Sequence, residues 1–344
     1  MRPLRFSPSS KHVSRFPLLH FPVSPNAYTR KGAEKAMERF SIPSADGRST
    51  LAAYAVIPPS PRAMLQISHG MCEYFLRYEG FAEYLAEHGL LVFGHDHLGH
   101  GNTASSPEEL GFTVSGGGAD VLLHDVRRVA EHMRGRYPDL PLILFGHSMG
   151  SFIARAVLEG DTASPYSAAI LCGTGGPDTP AAAGKALASL LIALRGEKHR
   201  STLLKSIAFS GYNKKFEKNC DKNAWLTRDA SVVDKYNADP FCTYVFTLRA
   251  YHDLFTLVER VSRREWAENL PKDLPLLLIS GEMDPVGGFG KGVRYVYDNL
   301  KKNGANVELK LYEGARHELF NETNREEVFA DLVKWLDGIR KVTL

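Results

Sequence analysis

The chain has 344 residues, of which 44% are hydrophobic and 24% are charged, a composition that is ordinary for a globular protein and too apolar for a disordered one. Its formal net charge is only +3, which gives the molecule as a whole no electrostatic reason to bind nucleic acid. The length is compatible with one α/β domain that contains an insertion.

The first 33 residues contain six basic residues and no acidic one, so the remaining chain has a net charge of −3. Prolines are frequent there and break any helix, and residues 1–36 are therefore predicted to form a flexible basic leader. It does not resemble a signal peptide, because prolines interrupt its longest apolar stretch, residues 16–23. No run elsewhere approaches the roughly 20 apolar residues that a membrane-spanning helix needs.

From residue 37 onward, short β-rich runs alternate with segments of helical period, for example residues 78–85, 122–133 and 329–336. This alternation predicts a mostly parallel sheet with helices on both faces. Residues 142–145 are apolar throughout, as in a central strand. Over residues 307–311, in contrast, apolar and charged residues alternate, as in an edge strand. The eight predicted strands are Glu38–Ile42, Leu51–Ile57, Met64–Ser68, Leu90–Gly94, Leu142–Gly146, Ala168–Cys172, Leu276–Ser280 and Val307–Tyr312.

The alternation stops between residues 176 and 251, where helical stretches replace strands. We predict that this segment is a helical cap inserted after the sixth strand, and that residues 37–175 and 252–344 form the core. Leucines at 187, 190, 191 and 194 have helical spacing and are interpreted as the packing face of the cap, or in part as the lining of an acyl pocket. The segment 195–218 that follows contains seven basic and two acidic residues, which favours contact with an anionic lipid surface.

The pentapeptide Gly146-His147-Ser148-Met149-Gly150 matches G-x-S-x-G and lies between an apolar strand and a predicted helix. This position predicts a sharp turn that exposes the hydroxyl of Ser148 at the carboxyl end of the strand. The two glycines let neighbouring backbone approach without a Cβ clash. Ser148 is therefore the candidate nucleophile.

A serine hydroxyl needs a base to accept its proton and a carboxylate to orient that base. His317 follows the last strand and is the only histidine after His252, while Asp284 follows the preceding strand. The order Ser148, Asp284, His317 is that of α/β-hydrolases, and we predict that fold with these three residues as a catalytic triad. Asp178, after the sixth strand, is the alternative acid.

Hydrolysis through a tetrahedral intermediate also needs backbone N–H donors for the developing oxyanion. The residue after the nucleophile, Met149, is expected to supply one. The loop after the third strand reads His69-Gly70-Met71, and Met71 is expected to supply the other.

Two features of the sequence could indicate a metal site or a disulfide, but in each case another interpretation is preferred. The run from His95 to Gly101 contains three histidines and an aspartate, but two glycines and its place after a strand favour an ordered loop over a zinc site. The four cysteines, at 72, 172, 220 and 242, form no C-x-x-C pair and are predicted to be free thiols in a reducing compartment. Cys72 is expected to be a buried apolar residue.

These motifs resemble the monoacylglycerol lipase and lysophospholipase group of α/β-hydrolases, also called serine aminopeptidase S33-like, over residues 37–340. The resemblance implies hydrolysis of acylglycerols, lysophospholipids or simpler esters, a cap over the site and no cofactor. It also supports the oxyanion role of Met71. It rests on His69-Gly70-Met71, Arg77-Tyr78, Phe81-Ala82, the run from His95 to Gly101, Gly146-His147-Ser148-Met149-Gly150 and Asp284-Pro285-Val286-Gly287.

The leading prediction is thus a cytoplasmic carboxylic ester hydrolase acting on a small-molecule ester or lipid, with transient contact between its cap and an anionic membrane. A peptidase or amidase of the same fold stays open, although a basic cap does not suit an ammonium group on the substrate. A non-catalytic binding protein also stays open, since fold alone does not establish activity. Epoxide hydrolases and dehalogenases use an aspartate nucleophile, and Ser148 argues against both.

Overall fold

The computed structural model describes residues 37–159, 164–177, 181–218 and 220–343. The predicted leader, residues 1–36, and the alternative acid Asp178 lie outside the described residues.

The described strands form one eight-stranded sheet in the order β1-β2-β4-β3-β5-β6-β7-β8. β2 pairs antiparallel with both β1 and β4, and the other neighbours pair parallel. This confirms the predicted sheet, and β8 is an edge strand as its alternating charges indicated. The strands are β1 Glu38–Pro43, β2 Thr50–Val56, β3 Ala63–Ser68, β4 Leu90–His95, β5 Leu142–His147, β6 Tyr166–Cys172, β7 Leu276–Gly281 and β8 Val307–Tyr312.

Helices cover both faces of this sheet. On the central strand β5, Leu142 and Leu144 pack into one buried cluster, while Ile143 and Phe145 pack into a second cluster on the other face. The helices are α1 Glu79–Glu87, α2 Gly118–Arg136, α3 Met149–Leu158, α4 Ala181–Arg195, α5 Thr202–Ala208, α6 Ala230–Ala238, α7 Leu248–Ser262, α8 Glu265–Glu268, α9 Lys291–Lys302 and α10 Arg325–Thr343. The first cluster contains residues of α2, α3, α7 and α9, and the second contains residues of α1 and α10. A strand with both faces covered must be apolar throughout, and this is what the sequence of β5 shows.

Four helices, α4 to α7, follow β6 where the sequence predicted a helical insertion. Helix α7 begins after Thr247, whose hydroxyl accepts a hydrogen bond from the N–H of Ala250 (3.3 Å) and so caps the helix. The helix then runs to Ser262. The predicted boundary at residue 251 therefore falls inside one continuous helix, which packs against both α4 and α3, the helix that follows Ser148.

The leucine stripe of α4 divides into two halves. Leu187 and Leu191 pack against the main buried cluster, whereas Leu190 and Leu194 are 58% and 69% exposed. None of the four leucines lines the cavity that contains Ser148, whereas Ala181 and Gly184 of the same helix do. The prediction that part of this stripe lines an acyl pocket was therefore wrong. Helical spacing identified the helix but not which leucines face inward.

Parallel strands place their carboxyl ends at one edge of the sheet, where α/β proteins build their sites. β5 ends immediately before Ser148, β7 ends three residues before Asp284, and β8 ends five residues before His317. Within the described part of the chain, no helix is both long and apolar enough to span a bilayer.

Candidate active site

Ser148 lies on a strained turn between β5 and α3. Its backbone has φ 52° and ψ −121°, a conformation that residues with a Cβ rarely adopt. The turn is held by hydrogen bonds from its N–H to the carbonyl of Cys172 (3.0 Å) and to its own carbonyl from Ser151 Oγ (2.6 Å). A Cβ on Gly150 would overlap the carbonyl oxygen of Ser68, and one on Gly146 would overlap that of Gly150. Both glycines of the pentapeptide are therefore required by close backbone packing.

Asp284 and His317, predicted to be partners, lie in direct contact. His317 Nδ1 is 2.9 Å from Asp284 Oδ2, and the side chains are 2% and 0% exposed. The carboxylate is fixed in turn, since it accepts hydrogen bonds from Val286 N (2.8 Å) and Ser280 Oγ (3.2 Å). Because Nδ1–H donates to the carboxylate, Nε2 is left as a proton acceptor.

Ser148 and the Asp284–His317 pair are found beside the same cavity. Ser148 and His317 both line a cavity of about 640 Å³, and the Ser148 hydroxyl forms no hydrogen bond with another described residue. Gly173, after β6, has φ +59°, and a Cβ there would lie 3.0 Å from His317 Cε1 and 3.3 Å from Asp284 Oδ2. The glycine that directly follows β6 therefore leaves room for the imidazole of His317.

The predicted oxyanion donors also line this cavity. Gly70, Met71 and Met149 are all among its lining residues. The N–H of Gly70 is used, because it donates to Glu73 Oε1. Within the described residues, the N–H groups of Met71 and Met149 donate to no protein acceptor, so both are free to serve a ligand.

His69 holds the loop that presents Met71. Its Nδ1–H donates to the carbonyl of Gly70 (2.8 Å), and its Nε2 accepts from the N–H of His97 (2.9 Å). Burial, together with the neighbouring His100, lowers the pKa of His69 to about 3, so the ring is neutral in the tautomer that satisfies both contacts. This histidine joins the loops after β3 and β4.

Asp96, in the histidine-rich run, has a structural role of the same kind. It accepts hydrogen bonds from the N–H groups of Phe75 and Asn102 (both 2.8 Å) and from the hydroxyl of Tyr54 (3.0 Å). Burial raises its pKa to about 6. The ordered-loop interpretation of this run accounts for these contacts.

Glu73 was not predicted, and it lies at the centre of a buried polar network beside Ser148. It is 3% exposed, and Oε1 accepts from Gly70 N, Tyr78 Oη (2.7 Å) and His147 Nδ1 (2.9 Å). Arg77 donates to Oε2 (3.1 Å). Burial opposes a charge on Glu73, but His147 and Arg77 outweigh it and hold the pKa of the carboxyl well below its usual range.

His147, the residue before Ser148, supplies the imidazole of this network. Burial disfavours its charged form, but the Glu73 carboxylate outweighs burial and raises the pKa of the imidazole. Its Nε2 lies 3.3 Å from the carbonyl oxygen of His317, and the two rings are 4.8 Å apart. A chain of contacts therefore links the loop containing Met71, the turn at Ser148 and the loop containing His317.

Arg77 and Glu318 complete the link. The guanidinium donates twice to Glu318, at 2.7 Å each, in the bidentate geometry that arginine and carboxylate favour. Glu318 follows His317 directly, and its N–H donates to the carbonyl of Leu226 (2.7 Å), while the N–H of His317 donates to that of Trp225 (3.3 Å). The inserted segment is thus hydrogen-bonded to the histidine loop.

Sequence reasoning found Arg77 only through family resemblance and did not find Glu73, His147 or Glu318 as functional residues. Glu73 and Arg77 are spaced i, i+4, a weak helical ion-pair signal. That signal does not reveal that His147 lies within 2.9 Å of Glu73, since the two residues are 74 positions apart. A buried acid in the loop after β3 is the feature that would have identified the network.

We expect Glu73→Gln to destabilise the protein by about 3 kcal/mol, because removing one partner of a buried charged pair leaves the other uncompensated. Urea unfolding measures this. The matched control is Glu38→Gln: Glu38 pairs with Arg136 at 2.8 Å, but the side chains are 38% and 34% exposed, so the change is expected to stay within about 1 kcal/mol. Equal effects of the two variants would contradict a special role for the buried network.

A serine on a strained strand-to-helix turn, followed along the chain by an aspartate–histidine pair at the same sheet edge, defines an α/β-hydrolase. A family model described as "Serine aminopeptidase, S33" matches residues 59–324. Human monoglyceride lipase is 31% identical over 297 residues, 85% of this chain and 88% of that protein. Monoacylglycerol lipase of Mycolicibacterium smegmatis is 30% identical over 287 residues, covering 80% and 88%.

Among solved structures, the thermostable carboxyl esterase of Bacillus coagulans superposes with a TM-score of 0.83 at 30% identity, covering 88% of this chain and 99% of that one. The chain belongs to the serine aminopeptidase S33 family, within its monoacylglycerol lipase group of α/β-hydrolases. This confirms the resemblance found in the sequence. These relatives support a serine ester hydrolase as the general class of activity.

Proposed function

We propose that this chain hydrolyses carboxylic esters of fatty acyl groups, namely monoacylglycerols, lysophospholipids or short- to medium-chain esters, through an acyl-enzyme intermediate. The observation that supports this most is the 2.9 Å contact of His317 Nδ1 with Asp284, in a cavity that Ser148 also lines. The esterase and lipase relatives favour esters over other acyl compounds.

In the proposed mechanism, Ser148 Oγ attacks the ester carbonyl while His317 Nε2 accepts its proton. Asp284 stabilises the imidazolium that forms, and the N–H groups of Met71 and Met149 stabilise the oxyanion. When the intermediate collapses, the C–O bond to the alcohol breaks and His317 returns the proton to the leaving oxygen. A water molecule, activated by the same imidazole, then releases the acid and regenerates Ser148.

The cavity offers separate apolar and polar sides. The side formed by α3, α4 and α7 is lined by residues that suit an acyl chain: Phe152, Ala181, Gly184, Leu254, Phe255 and Val258. A Cβ on Gly184 would lie 2.8 Å from the ring of Phe255, so this glycine keeps the space beside the ring open. A volume of about 640 Å³ is within the usual range of small-molecule sites.

We further propose that residues 176–251 act as a cap over this cavity. Support comes from the lining, to which α4, α5 and the segment from Phe209 to Tyr244 contribute. The segment is also tied to the histidine loop by the hydrogen bonds at Trp225 and Leu226.

The test of function is an ester panel. Acyl length is varied from acetyl to oleoyl, and monoacylglycerol, lysophosphatidylcholine and aminoacyl anilides are included. We expect hydrolysis of short- and medium-chain esters and little hydrolysis of the anilides. Faster cleavage of anilides than of esters would instead indicate a peptidase, and binding of esters without turnover would indicate a non-catalytic protein.

We also propose that the protein is cytoplasmic and contacts anionic membrane surfaces through the cap. The four cysteines are free, which suits a reducing compartment. On α4 and α5, Leu190, Leu194, Leu203 and Ile207 are 43% to 69% exposed, and basic residues of the segment 195–218 accompany them. Apolar side chains flanked by cations are typical of interfacial contacts.

For this surface we expect Leu190→Ser with Leu194→Ser to weaken binding to phosphatidylserine-containing vesicles by about tenfold, because two apolar side chains no longer enter the lipid. Co-sedimentation at low and high salt measures the binding. Tyr295→Ser, at a position 47% exposed on α9, is the matched control. Equal binding by all three proteins, or indifference to anionic lipid, would contradict the proposal.

A further inference from the structure

The polar side of the catalytic cavity has an unbalanced charge. Three lysines line it: Lys205, Lys214 and Lys222. None of them forms an ion pair among the described residues. Lys214 Nζ also lies 5.5 Å from the ring centroid of Phe289, a contact that does not neutralise its charge. Lysines that line a cleft without an acidic partner raise the local concentration of anions there.

No described acidic residue of the lining is available to neutralise these lysines. The lining contains two acids, Glu73 and Glu318. Arg77 bonds to both carboxylates, and His147 lies 2.9 Å from that of Glu73. Arg77 and His147 therefore engage both acids within the buried network, and the three lysines have no acidic partner in the described lining.

Two of the lysines, Lys214 and Lys222, are neighbours in the cavity wall. The side chain of Asn213 donates to the carbonyls of Asp221 (3.1 Å) and Lys222 (3.0 Å). Because Asn213 directly precedes Lys214, these bonds place the backbone of Lys214 beside that of Lys222.

Lys205 approaches from α5, on the side of the proposed oxyanion loop. Burial raises the pKa of the Cys72 thiol to about 12, and the charge of Lys205 is the strongest influence opposing that rise. Cys72 follows Met71 directly and lines the cavity. Lys205 therefore lines the same cavity as Cys72, the residue that follows the proposed oxyanion donor Met71.

The acyl chain of a substrate occupies the apolar side formed by α3, α4 and α7, which leaves the lysine-lined side for the alcohol part. We infer that Lys205, Lys214 and Lys222 form a subsite for a negatively charged group, a phosphate or a carboxylate, on the alcohol part of the ester. This inference rests on the proposed ester hydrolysis and names its substrate class. Lysine binds phosphate and carboxylate oxygens through charge-assisted hydrogen bonds.

The test compares matched soluble esters below their micellar concentration and without vesicles, so that no lipid surface contributes. The probes are 1-octanoylglycerol, 1-octanoylglycerol 3-phosphate and the octanoyl ester of 3-hydroxypropionate. We expect kcat/KM for the phosphate ester to exceed that for the neutral ester by about tenfold at low ionic strength, and this ratio to fall as salt screens the lysines. The carboxylate ester is expected to lie between the two.

In the variant Lys205→Gln, Lys214→Gln, Lys222→Gln, the ratio of anionic to neutral kcat/KM is expected to fall by about tenfold. The matched control, Lys291→Gln, Lys302→Gln, Lys334→Gln, removes the same charge from exposed positions on α9 and α10 and is expected to keep the ratio. The single change Lys222→Glu should lower it further than Lys222→Gln does, which provides a second test if the triple variant folds poorly.

Equal kcat/KM for neutral and anionic esters in the unmodified protein, or a ratio that falls equally in both triple variants, would overturn the subsite. Failure of the proposed function has a different signature, because the unmodified protein would then hydrolyse none of the three esters. A preference for carboxylate over phosphate would keep the subsite and identify the anion.

Discussion

Replacing Ser148 with alanine is expected to lower kcat for ester hydrolysis by about 10⁴- to 10⁶-fold, as when a nucleophilic serine is removed from a triad that acts as a unit. The change removes only the hydroxyl, which makes no hydrogen bond to another described residue. It keeps the Cβ, so the strain at φ 52° is the same in both proteins. We therefore expect an unchanged melting temperature, and single-turnover kinetics with a p-nitrophenyl ester would measure the loss.

Ser151→Ala is the matched control for this prediction. Ser151 lies three residues away, and its hydroxyl donates to the carbonyl of Ser148 at 2.6 Å, so it is not free to attack a substrate. Its replacement is expected to reduce kcat by less than about tenfold, the effect of losing one ordinary hydrogen bond of about 1 kcal/mol. If Ser151→Ala were inactive and Ser148→Ala active, the assignment of the nucleophile would be wrong.

The second large effect is expected from Asp284→Asn, a loss of about 10⁴-fold in kcat. In the unmodified protein the N–H of Val286 donates to the Asp284 carboxylate at 2.8 Å. Asparagine keeps an oxygen that can accept this bond, so the loop is expected to hold its shape. Its amide group, however, can donate to His317 Nδ1 and stabilise the tautomer that has its proton on Nε2. That tautomer cannot accept the proton of Ser148. The pH dependence of kcat and the KM for a short ester should separate this loss from weaker binding.

Asp178→Asn is the matched control, because Asp178 is the other acid that the sequence places after a strand of the sheet. We expect it to retain activity within about tenfold, as for an acid that does not orient the base. Inactive Asp178→Asn together with active Asp284→Asn would reverse the assignment of the acid.

The sequence predicted the sheet closely because local patterns determine its strands. All eight strands begin and end within about two residues of the predicted bounds, and β8 is the edge strand that its alternating charges indicated. The turn at Ser148 could be predicted because Gly146 and Gly150, on either side of it, are both required by close backbone contacts in or near that turn. Cys72 is buried, as predicted.

Features that depend on long-range packing were not predictable in this way. Glu73 contacts His147 across 74 positions, and Arg77 contacts Glu318 across 241, so no local pattern indicates either pair. The direction of the leucines on α4 depends on where α7 packs, which explains why the stripe was interpreted wrongly. Lys205 and Lys214 belong to the basic segment 195–218, whereas Lys222 lies beyond it, and only the fold shows that all three line the cavity.

The account depends on Ser148, His317 and Asp284 reacting as one unit at the edge of the sheet. The most direct test is reaction with a fluorophosphonate, followed by mass spectrometry of the labelled peptides, for the unmodified protein and for Ser148→Ala and His317→Gln. We predict a single adduct on Ser148, absent from Ser148→Ala and formed far more slowly in His317→Gln. An unlabelled but esterolytic protein, or an adduct on another residue, would contradict the account.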